Sequence, residues 1–134
     1  MTSRGIKNNN PGNLRKGDDW KGLATNQTDP DFCVFTVPEF GIRAMAKILI
    51  KYQDGYGLNT VAKIINRWAP PNENNTEAYA AHIAKLLGVT PNEPIDLHRS
   101  DTLVWLIKGI IKHENGDQPY ADDVIEQGIK IAGV

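Results

Sequence analysis

The stretch from Leu103 to Asn115, LVWLIKGIIKHEN, constrains the fold more than any other part of the chain. Leu103, Ile107 and Ile110 recur at helical spacing on one face, and Val104, Trp105, Leu106 and Ile111 widen the stripe. A helix this apolar needs cover from other elements, so it is expected to be the central, buried one. The next member of the stripe is Glu114, followed by the terminating pair Asn115 and Gly116. A carboxylate there is either a solvated residue at a fraying helix end or an acid held at the edge of a core. Partial burial and the negative end of the helix dipole both disfavour its charged form. Lys112 and His113 are sequence neighbours and do not face it along the helix. An acid kept protonated on a cleft wall can serve as the general acid that breaks a glycosidic bond. Spacing alone leaves both readings standing.

The rest of the chain supplies the cover. Its 134 residues suffice for one domain with a real core, spanning 1–134. Residues 1 to 31 are polar and rich in Gly, Asn and Asp, with Trp20 and Leu23 as anchors. The run FCVFTV, 32 to 37, alternates weakly and is the one good strand candidate. Pro38 opens a helix that carries Phe40, Ile42, Met45, Ile48, Leu49 and Tyr52 and stops at DGYG. A second helix begins near Asn59 or Thr60, buries Val61, Ile64, Ile65 and Trp68, and ends at APP. A third is capped by Asn75 or Thr76, turns Tyr79, Ile83, Leu86 and Leu87 inward and stops at Gly88. Ser100 or Asp101 caps the fourth, the apolar one, and a last helix runs from about Ala121 to Ile131. The expected fold is therefore mostly α: about five helices plus a short extended segment.

Composition narrows the function. A net charge of −1 gives no basic field for nucleic acid. No apolar run is long enough to span a bilayer, and the opening residues lack the apolar core of a signal peptide. The single cysteine, Cys33, rules out an internal disulfide framework. His82, His98 and His113 are scattered without ligand spacing, so neither a metal site nor any cofactor is expected. Arg4, Lys7, Arg15 and Lys16 form a small basic cluster that reads as a solvated face, with anionic wall polymers as its functional alternative.

Two amide-rich segments remain. KNNNPGN, 7 to 13, contains Asn8, Asn9 and Asn10; amides suit sugar hydroxyls and N-acetyl groups, but asparagine also builds tight loops on its own backbone. RWAPPNENNT, 67 to 76, offers Trp68 as a flat face for a sugar ring, with Glu73, Asn74 and Asn75 beside it; the competing reading puts Trp68 in the core.

Taken together, RGIKNNNPGNLR, the Trp20-Lys21-Gly22 element, FCVFTVPEFGIRA, INRWAPPNENNTEAY and KHENG resemble a family of phage virion-associated proteins with lysozyme-like domains, over nearly the whole chain. A more distant similarity is to glucosaminidases of the autolysin and flagellar type. In those enzymes the helix ending in the catalytic glutamate precedes the asparagine loop, the Trp-x-Gly element and the strand. Here the loop comes first and the comparable glutamate helix comes near the end, which implies a circular permutation with Glu114 in the acid position. The resemblance implies a peptidoglycan-cleaving enzyme, either a muramidase or glucosaminidase or a lytic transglycosylase. A hydrolase needs a second carboxylate, for which Asp29, Asp31, Glu39 and Glu73 are candidates; a transglycosylase works with one glutamate. Tyr79 and Tyr120 are the residues expected to orient substrate. The implied setting is a virion or delivery to the bacterial periplasm, with phage structural proteins as partners or, for an injected toxin, an immunity protein. Two rival readings are a cell-wall cysteine peptidase or amidase using Cys33 with one of the histidines, and a non-catalytic structural or glycan-binding module.

Overall fold

The computed structural model describes residues 2–72 and 74–134. Six helices are present among them: α1 (Arg4–Lys7), α2 (Pro38–Tyr56), α3 (Val61–Trp68), α4 (Thr76–Leu87), α5 (Ser100–Asn115) and α6 (Asp122–Ala132). The mostly α class expected from the sequence is what the chain adopts, with the single turn of α1 added inside the irregular opening segment.

Local chemistry sets the helix ends. Pro38 starts α2 without giving up a useful N–H, and Gly57, at φ 67°, stops it in the left-handed conformation. The Thr60 hydroxyl accepts from the Lys63 amide, and the Asn75 side chain accepts from the Ala78 amide. α5 departs from expectation at its start: Arg99 is its cap residue, and Ser100 and Asp101 lie inside the first turn. Gly116, at φ 76°, ends it.

α5 packs against α1, α2, α4 and α6, the central position its composition demanded. Leu103, Leu106, Ile107, Ile110 and Ile111 are buried, joined by Ile42, Met45 and Leu49 of α2, Ile64 and Ile65 of α3, and Tyr79 and Ile83 of α4. Two apolar residues read as inward-facing are not: Trp105 is 47% exposed and Leu86 40%. Leu86 still reaches α5, where a Cβ at Gly109 would stand 3.2 Å from its Cδ1, and Trp105 borders a hollow shared with Glu126 and Ile129 of α6.

The extended segment 32 to 37 forms no ladder. It makes two isolated antiparallel bridges, Arg15 with Phe32 and Leu23 with Phe35. The polar loops around it are too irregular to run alongside as strands, so it is fastened bond by bond: Cys33 N to Leu14 O, Ala24 N to Val34 O, Phe35 N to Asn8 O and Thr36 N to Gly22 O. Leu14, Cys33, Phe35 and Ala44 make a second, smaller core, with Trp20 and Leu23 packed on it as anchors. Trp68 touches both cores.

Candidate active site

The asparagine loop is a hub of backbone ties. Asn10 is fully buried; its amide nitrogen donates to Leu14 O and Cys33 O, and its oxygen accepts from Leu14 N. Asn8 is buried and donates to Asp29 Oδ2 at 3.0 Å. Asn9, at φ 53°, donates to Phe35 O and Thr36 O. These three amides spend their hydrogen bonds on the scaffold, and none of them lines the cleft described next.

That loop is docked onto the C-terminal end of α5. Asn115 donates to Pro11 O at 2.8 Å and to Ile111 O, while its oxygen accepts from Ser3 Oγ at 2.6 Å. Gly5 permits the close approach, since a Cβ there would stand 2.5 Å from Asn115 Oδ1 and 2.7 Å from Asn13 Oδ1. The loop thereby carries Asn13 to Glu114: the amide nitrogen of Asn13 donates to Glu114 Oε1 at 3.3 Å. The Tyr79 hydroxyl, from α4, donates to Glu114 Oε2 at 3.0 Å.

Glu114 is half-buried on the wall of a cleft of about 350 Å³. The facing and flanking residues are Tyr52, Trp68, Phe32, Arg15 and Asn74. Tyr52 and Trp68 meet edge-on, with ring centroids 6.5 Å apart, and give the cleft an aromatic side suited to the apolar face of a sugar. Gly12 lies beneath Trp68; a Cβ there would come within 2.8 Å of Met45 Cγ and 3.1 Å of the Trp68 ring.

Tyr79 is fully buried, and burial first, then the charge and hydrogen bonding of Glu114, push its pKa far above the ordinary phenol range. It therefore stays a donor to Glu114. The His113 ring stacks on Tyr79 at 3.6 Å between centroids, and desolvation pulls its pKa down, so an uncharged imidazole shields the phenol from the outer side. The Asn13 amide oxygen is buried and unpaired. Turned by half a rotation, that amide presents its oxygen to Glu114 and accepts from the protonated acid, so one residue can serve both protonation states.

The remaining sequence candidates lie elsewhere. Tyr120 is half-buried on the main core near Glu39; burial and then the Glu39 charge raise its pKa to about 12, and it does not line the cleft. Asn75 caps α4 and borders a separate hollow with Asn66 and Asn92. Glu73 lies outside the described residues. Among the carboxylates weighed as a second group, Asp29 is saturated by Arg4, Asn8 and the amides of Asp31 and Phe32, and Asp31 is paired with Arg4. Among the described residues Glu114 is the one carboxylate that lines the cleft. Cys33 is 2% exposed, its thiol donates to Arg15 O, and burial raises its pKa. His98 pairs with Asp54, and His82 lies near His113, so none of the histidines is bonded to the thiol.

Sequence reasoning passed over Phe32 and Tyr52 as site residues; Arg15 entered it as part of a basic cluster, Asn74 as a possible cleft residue beside Trp68, and Asn13 without a partner. Asn13 stood inside the segment already singled out; its contact with Glu114 joins positions 101 residues apart, which no local pattern records. Among the described residues no group of three or more metal-binding side chains converges, and no helix is long and apolar enough to cross a membrane.

The fold and cleft define a small all-α protein with a single glutamate set between a buried tyrosine and an amide loop. Protein P5 of Pseudoalteromonas phage PM2 is 39% identical over 132 residues, a match covering 96% of this chain and 81% of the phage protein. The chain belongs to the family of that phage protein. No protein-family model matches the sequence.

Proposed function

We propose that the protein cleaves the glycan strands of peptidoglycan, with Glu114 as the general acid. The observation that carries this reading is the Glu114 carboxyl: half-buried in a cleft with an aromatic wall, and held on its two oxygens by groups from two different elements. An acid so oriented can protonate a glycosidic oxygen without first paying for its own ordering. The docking of the N-terminal loop on the end of α5 supports the permuted lysozyme-like arrangement. Where the resembled glucosaminidases follow their glutamate helix with the loop along the chain, here Asn115 makes that junction through space.

A single described carboxylate in the cleft favours the lytic transglycosylase over the hydrolase. In that chemistry Glu114 gives its proton to the leaving oxygen. The resulting carboxylate then takes a proton from the sugar's own hydroxyl as that oxygen closes on the anomeric carbon, and no water is consumed. Tyr79 and Asn13 hold the acid, and Trp68 and Tyr52 hold the sugar. The buried thiol, bonded to the Arg15 carbonyl and to no histidine, disfavours the cysteine peptidase. The phage relative favours a particle-borne protein with phage structural partners over an injected toxin with an immunity protein.

The test is clearing of purified cell wall by wild type and Glu114→Gln. Wild type is expected to clear the wall and the variant to lose at least about 100-fold in rate, as expected for loss of general acid catalysis. An undiminished rate removes Glu114 from the reaction. Product masses decide the chemistry: anhydro ends support the transglycosylase, while reducing ends one water heavier support the hydrolase and direct attention to Glu73.

A further inference from the structure

Among the described residues Arg15 is the one cation lining the cleft, and its placement is built rather than incidental. Its backbone is pinned by the bridge to Phe32, flanked by the bonds Cys33 N to Leu14 O and Lys16 N to Asp31 O. Its guanidinium lies 4.9 Å from the centroid of the Phe32 ring, which also lines the cleft. Arg4 approaches the same ring at 4.5 Å but is consumed by Asp29 and Asp31. Arg15 has no ion pair and no side-chain hydrogen bond among the described residues, and in particular none to Glu114. The cleft thus presents an acid for the reaction and, apart from it, a stacked guanidinium with open donors.

Resting on the glycan-cleaving reading, we propose that Arg15 recognises a carboxylate carried by the muramyl residue of the strand and so selects muramyl-containing glycan over neutral polymers of N-acetylglucosamine. The planar fork of a guanidinium matches a carboxylate in two parallel hydrogen bonds, and stacking on Phe32 holds the fork ready. Two sources carry this chemistry: the lactyl carboxylate of strands stripped of peptide, and the carboxylates of the stem peptide where it is retained.

Binding tests this without requiring turnover. Tryptophan fluorescence titrations of Glu114→Gln, alone and with Arg15→Gln or Arg15→Lys, are run against neutral chitohexaose, amidase-stripped strands and stem-bearing strands; matched melting temperatures establish that each variant is folded. The expected result is about 10–100-fold tighter binding to one of the carboxylate strands than to chitohexaose, erased by Arg15→Gln and partly restored by Arg15→Lys. Which strand shows the preference identifies the carboxylate. Equal binding of all three ligands, no binding to any, or an equal loss on all three with Arg15→Gln overturns the assignment. Wall clearing by wild type in the Glu114 experiment is read separately, so loss of this inference leaves the proposed activity standing or falling by itself.

Discussion

At the scale of single residues, Glu114 and Tyr79 form the pair on which the proposed chemistry turns. Phenylalanine at position 79 keeps the ring in the core and its stack with His113 but removes the donor to Glu114 Oε2. Tyr79→Phe is therefore expected to lower kcat for wall cleavage by about 10–100-fold, the worth of a hydrogen bond to a charged group, with KM changed little and stability changed by about 1 kcal/mol. Steady-state clearing rates and a melting curve check both parts; an unchanged kcat would mean that the hydroxyl does not position the acid. Glu114 itself was visible from helical spacing, because a charged residue continuing an apolar stripe is a local anomaly. Tyr79 was visible as an inward aromatic of α4 but not as the partner of Glu114, since nothing in the sequence aligns two separate helices.

At the scale of elements, the end of α5 and the opening loop behave as one piece. Asn115 makes three hydrogen bonds there, to Pro11, Ser3 and its own helix. Asn115→Ala leaves partly buried partners unsatisfied and is expected to destabilise the protein by about 1–3 kcal/mol. The amides of Asn10 and Asn13, bonded to Gly5 O and Asn10 O, are expected to exchange faster in native-state hydrogen exchange. Exchange confined to wild-type rates would show that the loop is held by its own bonds alone. The helices were readable because caps, stops and apolar periodicity are local: Thr60, Asn75, Gly57, Gly88 and Gly116 each act within a turn of where they stand. The segment 32 to 37 was misread as a strand because its alternation is real, while its partners are loops that accept only isolated bonds.

At the scale of the whole molecule, the N-terminal segment is secured by an ion pair with a pH signature. The Arg4 guanidinium holds the Asp29 carboxyl well below the usual carboxylate range; burial opposes this, and the amides of Phe32, Asp31 and Asn8 add to it. A folded-state pKa below the unfolded value of about 3.9 contributes stability that is fully present above that pH and is lost as pH falls below it. Wild type is expected to lose stability steeply from about pH 4 downward. Asp29→Asn should be less stable at neutral pH and flatter across that acid range, as measured by denaturant midpoints at each pH. Parallel slopes in the two proteins would place the acid sensitivity elsewhere. Because Asp29 also holds Asn8 and the turn at 31 to 32, the same variant is expected to loosen the loop that carries Asn13.

The all-α class, the central place of α5 and the suspicion attached to Glu114 all follow from the order of residues, since each depends on spacings within one helix or on the chemistry of one cap. The cleft does not. It exists because Asn115 ties the first residues of the chain to the last turn of α5, because Trp68 is shared between two cores, and because Arg15 is turned toward the cleft by its bridge to Phe32. Those contacts join positions distant along the chain, and only packing of the complete molecule brings them together.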